Sequence, residues 1–235
     1  MTEHTHEARA SHSDDSGHGH GDGAPADAAQ MWDGIYSERP QKWSGRPNPQ
    51  LVKEAGGLKP GKALDLGCGE GADSLWLAEQ GWTVTAVDVS AVALERAKEH
   101  AQGSVHAHGG RISWEQHDLA EWTPEPEFAL VSAQFLHSPI FPWQQALATA
   151  AAGVCPGGTL LVVGHHPDHL PPGGSHEGSD MFFTQEEVVS ELRLEAPEWQ
   201  VEVCTVRERS ATAPDGRDFT VGDAVVRATR LITDI

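Results

Sequence analysis

Ala63-Leu64-Asp65-Leu66-Gly67-Cys68-Gly69-Glu70-Gly71 is a short apolar strand that runs into a turn with glycine at every second position. A helix, Ala72 to Glu79, is expected straight after it. Without a Cβ, glycine lets the backbone pass very close to a ligand. A strand before such a loop and an amphipathic helix after it are the context in which it binds nucleotide-like molecules. Seventeen residues beyond Gly71, a second apolar run, Trp82 to Val87, ends in Asp88. That sets a carboxylate at the tip of the neighbouring strand, where a ribose diol would lie.

Two ligand classes compete for the loop. Gly67-x-Gly69-x-x-Ala72 also fits the dinucleotide pattern, and charge separates the two readings. A pyrophosphate wants a bare helix N-terminus. Asp65, two residues before the first glycine, and Glu70, inside the loop, would repel it. S-adenosylmethionine has no phosphate and carries a sulfonium and an ammonium, so an acidic, glycine-lined loop suits it.

Asp65 to Gly71 together with Asp88 resembles the signature of class I S-adenosylmethionine-dependent methyltransferases. The resemblance implies that Asp65, Gly67, Gly69 and Gly71 hold the methionine half of the cofactor, largely through backbone groups. It gives both ribose hydroxyls to Asp88. Asp118, after the third strand, is implied to contact the adenine amino group, and the Leu119 N–H a ring nitrogen. Gln134 and His137, after the fourth strand, fall near the cofactor or the chemistry. The chain is also loosely similar to small bacterial tellurite- and thiopurine-type methyltransferases.

Working outward, strands are expected at Ala63–Leu66, Thr83–Asp88, Ile112–His117, Phe128–Ala133 and Thr159–Gly164. Helices are expected at Pro49–Ala55, from Ser90 to about Ala101, at Trp143–Val154 and at Gln185–Leu192. Pro156-Gly157-Gly158 is expected to close the third of these. Trp199–Glu208 and Asp223–Leu231 read as two last strands around a Pro214-Asp215-Gly216 turn. The alternation predicts an α/β, Rossmann-like doubly wound sheet, mostly parallel with an antiparallel C-terminal strand.

The chain has 235 residues, a hydrophobic fraction of 38% and a formal net charge of −19. This predicts one domain, 29–235, behind a His-, Asp- and Gly-rich tail, 1–28, too poor in apolar residues to join a core. Five of the fourteen histidines lie in that tail, and His18-Gly19-His20 there could hold a metal loosely. The charge argues against a nucleic-acid backbone or an anionic membrane as partner, and no protein partner is inferred. With no transmembrane-length run, no signal-like start and three scattered cysteines, a cytoplasmic protein is expected.

The acceptor pocket is expected where three segments converge. One is the aromatic segment with Trp32, Tyr36 and Trp43, read as a candidate lid. The others are the end of the fourth strand, and His165-His166-Pro167-Asp168-His169 after the fifth. His137 and His166 are the candidate catalytic residues, since an imidazole titrates near operating pH. His165 is a candidate pocket residue. Adjacent histidines on an extended chain point opposite ways, so at most one of His165 and His166 should face the pocket, and no metal is assigned. Methyl transfer to a small acceptor is the expected function. A non-catalytic S-adenosylmethionine-binding protein or a metal-handling protein is the alternative.

Overall fold

The computed structural model describes residues 27–41, 44–103, 111–170, 179–212 and 218–232. Trp43, His176, the histidines of the tail and the Pro214–Gly216 turn lie outside them.

The elements alternate along the chain. Helices α1 (Ala28–Ser37) and α2 (Pro49–Ala55) come first, then β1 (Lys62–Leu66), α3 (Ala72–Glu79), β2 (Thr83–Asp88) and α4 (Ala91–Gly103). Strands β3 (Ile112–Gln116) and β4 (Phe128–Gln134) follow, then α5 (Trp143–Ala152) and β5 (Val154–His165). The chain ends with α6 (Gln185–Glu191), β6 (Trp199–Thr212) and β7 (Asp218–Arg230). One seven-stranded sheet has the order β3-β2-β1-β4-β5-β7-β6. Strands β1 to β5 are parallel, and β7 pairs antiparallel with both β5 and β6. Among these strands, β7 alone runs against the rest, as the alternation predicts.

Strand β5 shows why the centre of the sheet holds. Leu160, Leu161, Val162 and Val163 all have zero exposure, and each buried side chain of this size contributes about 1.5–3 kcal/mol. They feed two core layers. One contains Trp143, Leu147 and Phe183. The other contains Leu51, Leu77 and Leu94.

Boundaries differ from expectation where tertiary pairing overrides local signals. Val154 pairs with Phe128, so β5 begins before Pro156-Gly157-Gly158, and the β4–β5 register shifts between Phe128 and Leu130. Gly157 takes a φ of 81° there. Those three residues therefore form an irregularity inside a strand rather than the stop after a helix. Strands β6 and β7 also run longer than expected, pairing out to Thr212 and Asp218.

Candidate functional site

The parallel strands end on one side of the sheet, and the chemistry-bearing residues gather there. Gly67, Gly69 and Gly71 have φ of 67°, 53° and 85°, values that favour glycine. A Cβ on Gly67 would come within 2.6 Å of Leu136, and one on Gly71 within 2.7 Å of Trp114. These two glycines thus also let neighbouring side chains close over the loop. The Gly67 and Cys68 amides both donate to the Val87 carbonyl, at 2.8 and 3.0 Å. Asp88 completes the tie: its Oδ2 accepts from the Gly69 N–H at 2.8 Å and its Oδ1 from the Ser90 N–H at 2.9 Å. Each oxygen keeps a second lone pair for a ligand hydroxyl.

Three carboxylates crowd this end. Asp65 is 2% exposed and accepts from Ser74 Oγ at 2.5 Å. Burial, then Asp73, push its carboxyl up to about 7, with Asp88 adding to the rise. Burial lifts Asp73 to about 6, against a hydrogen bond from the Asn48 N–H at 2.6 Å. Asp88 is also raised, chiefly by burial. Among the described residues, no Lys or Arg forms an ion pair with any of the three. Next to them, at the end of β4, Gln134 Nε2 donates to Ser132 Oγ, and its Oε1 is buried without a partner. Orphaned acceptors and uncompensated negative charge suit a cationic ligand. Glu70 does not belong to this group. It is 5% exposed and paired with Arg96 Nη1 at 3.0 Å, so the charge argument rests on Asp65, Asp73 and Asp88 rather than on Glu70.

Asp118 lies two residues past β3. Its Oδ1 accepts from the Ala120 N–H at 2.9 Å and its carbonyl from the Glu121 and Trp122 amides. The carboxylate shapes a turn. Leu119 packs on the core.

At the acceptor end, His137 bridges two segments. Its Nδ1 bonds the Met181 carbonyl at 2.8 Å, and its Nε2 accepts from the His165 N–H at 3.0 Å. A carbonyl on one nitrogen and an N–H on the other require the neutral ring protonated at Nδ1. Burial holds its pKa down to about 4. The expectation of a proton-handling His137 thus meets a ring already committed to two backbone groups. A Cβ on Gly164 would lie 2.3 Å from Phe183 and 3.0 Å from His137, so glycine there makes room for the bridge.

His165 and His166 do point apart. The His165 ring lies 4.5 Å from that of Phe135 and stacks on His137 at 5.4 Å. Burial, then the nearby Arg209 charge, hold its pKa down to about 4. His166 is 7% exposed and meets His169 instead. Its Nδ1 accepts from the Asp168 N–H at 3.2 Å, capping the 3-10 turn Pro167–His169. That is a structural task for the second candidate catalytic residue. Trp32 and Tyr36 sit 6.3 Å apart on α1, which packs on α4, so they approach from the Asp88 side.

Residues 63–158 match the methyltransferase domain family. Over these residues the chain is similar to S-adenosylmethionine-dependent methyltransferases. A 2-heptyl-1-hydroxyquinolin-4(1H)-one methyltransferase of Mycobacteroides abscessus is 32% identical over 55% of this chain and 58% of its own length. A ribosomal RNA small subunit methyltransferase C of Alcanivorax borkumensis is 56% identical, over 17% of this chain and 13% of its own. The matches thus span less than two thirds of these relatives. A solved S-adenosylmethionine-dependent methyltransferase of Methanosarcina mazei shares the fold, with a TM-score of 0.59 and 20% identity. That match covers 80% of this chain and all of the other.

Sequence reasoning missed Asp73, Phe135, Arg209 and Asp223, whose Oδ2 accepts from Arg209 Nε at 2.9 Å. Asp73 had a signal, an acid in the first turn after the glycine loop. Arg209 and Asp223 had none, because the strands that carry them meet only in the folded sheet.

Proposed function

We propose that this methyltransferase transfers the methyl group of S-adenosylmethionine to a small-molecule acceptor held at the ends of β4, β5 and β6. The observation that carries the reading is the buried pair Asp65 and Asp88 with the part-buried Asp73 at a glycine loop, without a compensating cation among the described residues. Asp88 would take the ribose hydroxyls, Asp118 and the Leu119 N–H the adenine, and Asp65 and Gln134 Oε1 the cationic end. When bound, the cofactor supplies a methyl group already activated on a sulfonium.

The protein's own work is then alignment and exclusion of water. His137, clamped between Met181 and His165, positions the end of β5. His165 presents a neutral ring whose nitrogens have no protein partner among the described residues, so it can accept a hydrogen bond from an acceptor. His166 supports the turn behind it. Trp32, Tyr36 and Trp43 belong to the segment read as a lid.

The strongly negative chain favours a small acceptor over nucleic acid. No described helix is long and apolar enough to cross a membrane, and Cys68, Cys155 and Cys204 are unpaired. Both fit a protein working in the cytoplasm.

Calorimetry with S-adenosylmethionine, S-adenosylhomocysteine and NAD tests the site, with binding expected for the first two. Release of S-adenosylhomocysteine across small thiols, phenols, amines and oxyanions tests the chemistry. Cofactor binding without turnover on any of them would favour the non-catalytic reading.

A further inference from the structure

An arginine is built into the proposed acceptor end. Phe135 holds a φ of 51°, a left-handed backbone that bulky residues rarely adopt and that clusters at ligand sites. Its ring lies 4.5 Å from His165, and the Arg209 guanidinium sits over the same ring, 5.5 Å from its centre. Phe182 stands edge-on to His165 at 6.2 Å.

Arg209 is anchored from behind. Its Nε donates to both oxygens of Asp223, at 3.2 and 2.9 Å, and Asp223 has zero exposure. The terminal nitrogens Nη1 and Nη2 have no protein partner among the described residues. Gln50 links this pair to a second one, touching Asp223 through Nε2 at 3.4 Å and Arg207 through Oε1 at 3.1 Å. There, Glu54 is clamped between Arg207 and Arg227. The cluster holds three arginines, Arg207, Arg209 and Arg227, against two carboxylates, Glu54 and Asp223. In a chain of net charge −19, this is a local excess of positive charge beside an aromatic surface.

We propose that Arg209 is the specificity-determining residue for the acceptor, and that the acceptor is a flat aromatic molecule carrying an ionised oxygen. This rests on the methyl-transfer reading above. A guanidinium offers its donors in a planar fork, so Nη1 and Nη2 can meet an oxyanion while Nε stays on Asp223. The ring of the acceptor then lies against Phe135 and His165. A cationic amine would find no free carboxylate in this cluster among the described residues, because Asp223 and Glu54 are already ion-paired. Proton removal is also poorly served: both nitrogens of His137 are occupied, and His165 is a weak base. An acceptor that arrives ionised needs neither.

The test uses the full chain loaded with S-adenosylhomocysteine. Calorimetry compares 4-nitrophenolate, above the phenol's own pKa, with the neutral isostere 4-nitroanisole. The phenolate is expected to bind about 10- to 100-fold tighter, the worth of one charge-assisted hydrogen bond. Arg209→Gln alone leaves Asp223 buried and unpaired, so the informative variant is the double change Arg209→Gln with Asp223→Asn. It should bind S-adenosylhomocysteine and 4-nitroanisole as before and lose the preference for the phenolate. Equal binding of the two probes, binding of neither, or a preference that survives in the double variant overturns the inference while the methyl-transfer reading stands. Failure to bind S-adenosylhomocysteine at the first step sinks that reading, and this inference with it.

Discussion

Asp33 reaches from α1 to the start of α4, where its Oδ1 accepts from Ser90 Oγ at 2.6 Å and from the Val92 N–H at 3.1 Å. Ser90 in turn accepts from the Ala93 N–H at 3.1 Å. The helix that follows the ribose-binding candidate is thus capped twice, once by a residue of the candidate lid. Asp33→Ala should cost about 0.5–2 kcal/mol, the usual range for a lost cap. It should also release α1. Limited proteolysis should cut near residues 28–41 faster in the variant, and cofactor dissociation should quicken. An unchanged digestion pattern would show that α1 is held by its packing alone.

Asp88 organises the loop through the Gly69 and Ser90 amides and, in the proposed site, also receives a ligand. Asp88→Ala should therefore weaken S-adenosylhomocysteine by about 1–3 kcal/mol, the cost of leaving buried polar partners unpaired. It should also lower the melting temperature without ligand, since the Gly69 and Ser90 amides lose their acceptor. A variant with normal affinity would move the ribose away from β2.

The raised carboxyls give a pH signature with a definite sign. Asp65 rises from 3.8 to about 7 and Asp73 from 3.8 to about 6. In that window the folded state holds more protons than the unfolded one, so their contribution to stability is present at low pH and lost as pH climbs. Asp65→Asn removes one such group. Its melting temperature relative to wild type should therefore increase steadily between about pH 4 and pH 7. A cationic ligand favours the ionised carboxylates, so S-adenosylmethionine should bind with proton release near neutral pH. Titrations in buffers of different ionisation heat would show it, and a zero proton count would argue against a cation at Asp65.

His137 should show the opposite slope. Its pKa falls from 6.5 to about 4, so its contribution is present above 6.5 and is lost as the medium acidifies toward 4. His137→Ala leaves the Met181 carbonyl and the His165 N–H without partners and should cost about 1–3 kcal/mol near neutrality. The gap to wild type should narrow on acidification. If turnover fell while melting temperature and its pH dependence stayed as in wild type, His137 would be acting on the acceptor rather than as a strut.

The glycine loop and strand end of the candidate cofactor site were legible in the chain because they are local. The strand, the glycine turn, the helix and the next strand's Asp88 lie within 26 residues, from Ala63 to Asp88. Period, glycine spacing and charge along that stretch carry their meaning without knowledge of the rest. The mostly parallel character of the sheet followed from the same alternation, since parallel neighbours need helical crossovers, whereas the strand order came only with the structure. Tertiary structure alone decided the rest. Pro156-Gly157-Gly158 reads locally as a stop, yet the pairing of Val154 with Phe128 carries the strand through it. Glu70 reads as a free charge until α4 brings Arg96 to it. The histidines divide among strut, aromatic stack and cap according to which groups meet their rings. Arg209 and Asp223 have no shared signal in the chain, because their bond forms across an antiparallel pair whose register is set by burial on both faces of β7. Short-range patterns specify backbone and ligand loops, whereas the charge and hydrogen-bond state of a side chain depends on residues that only folding makes its neighbours.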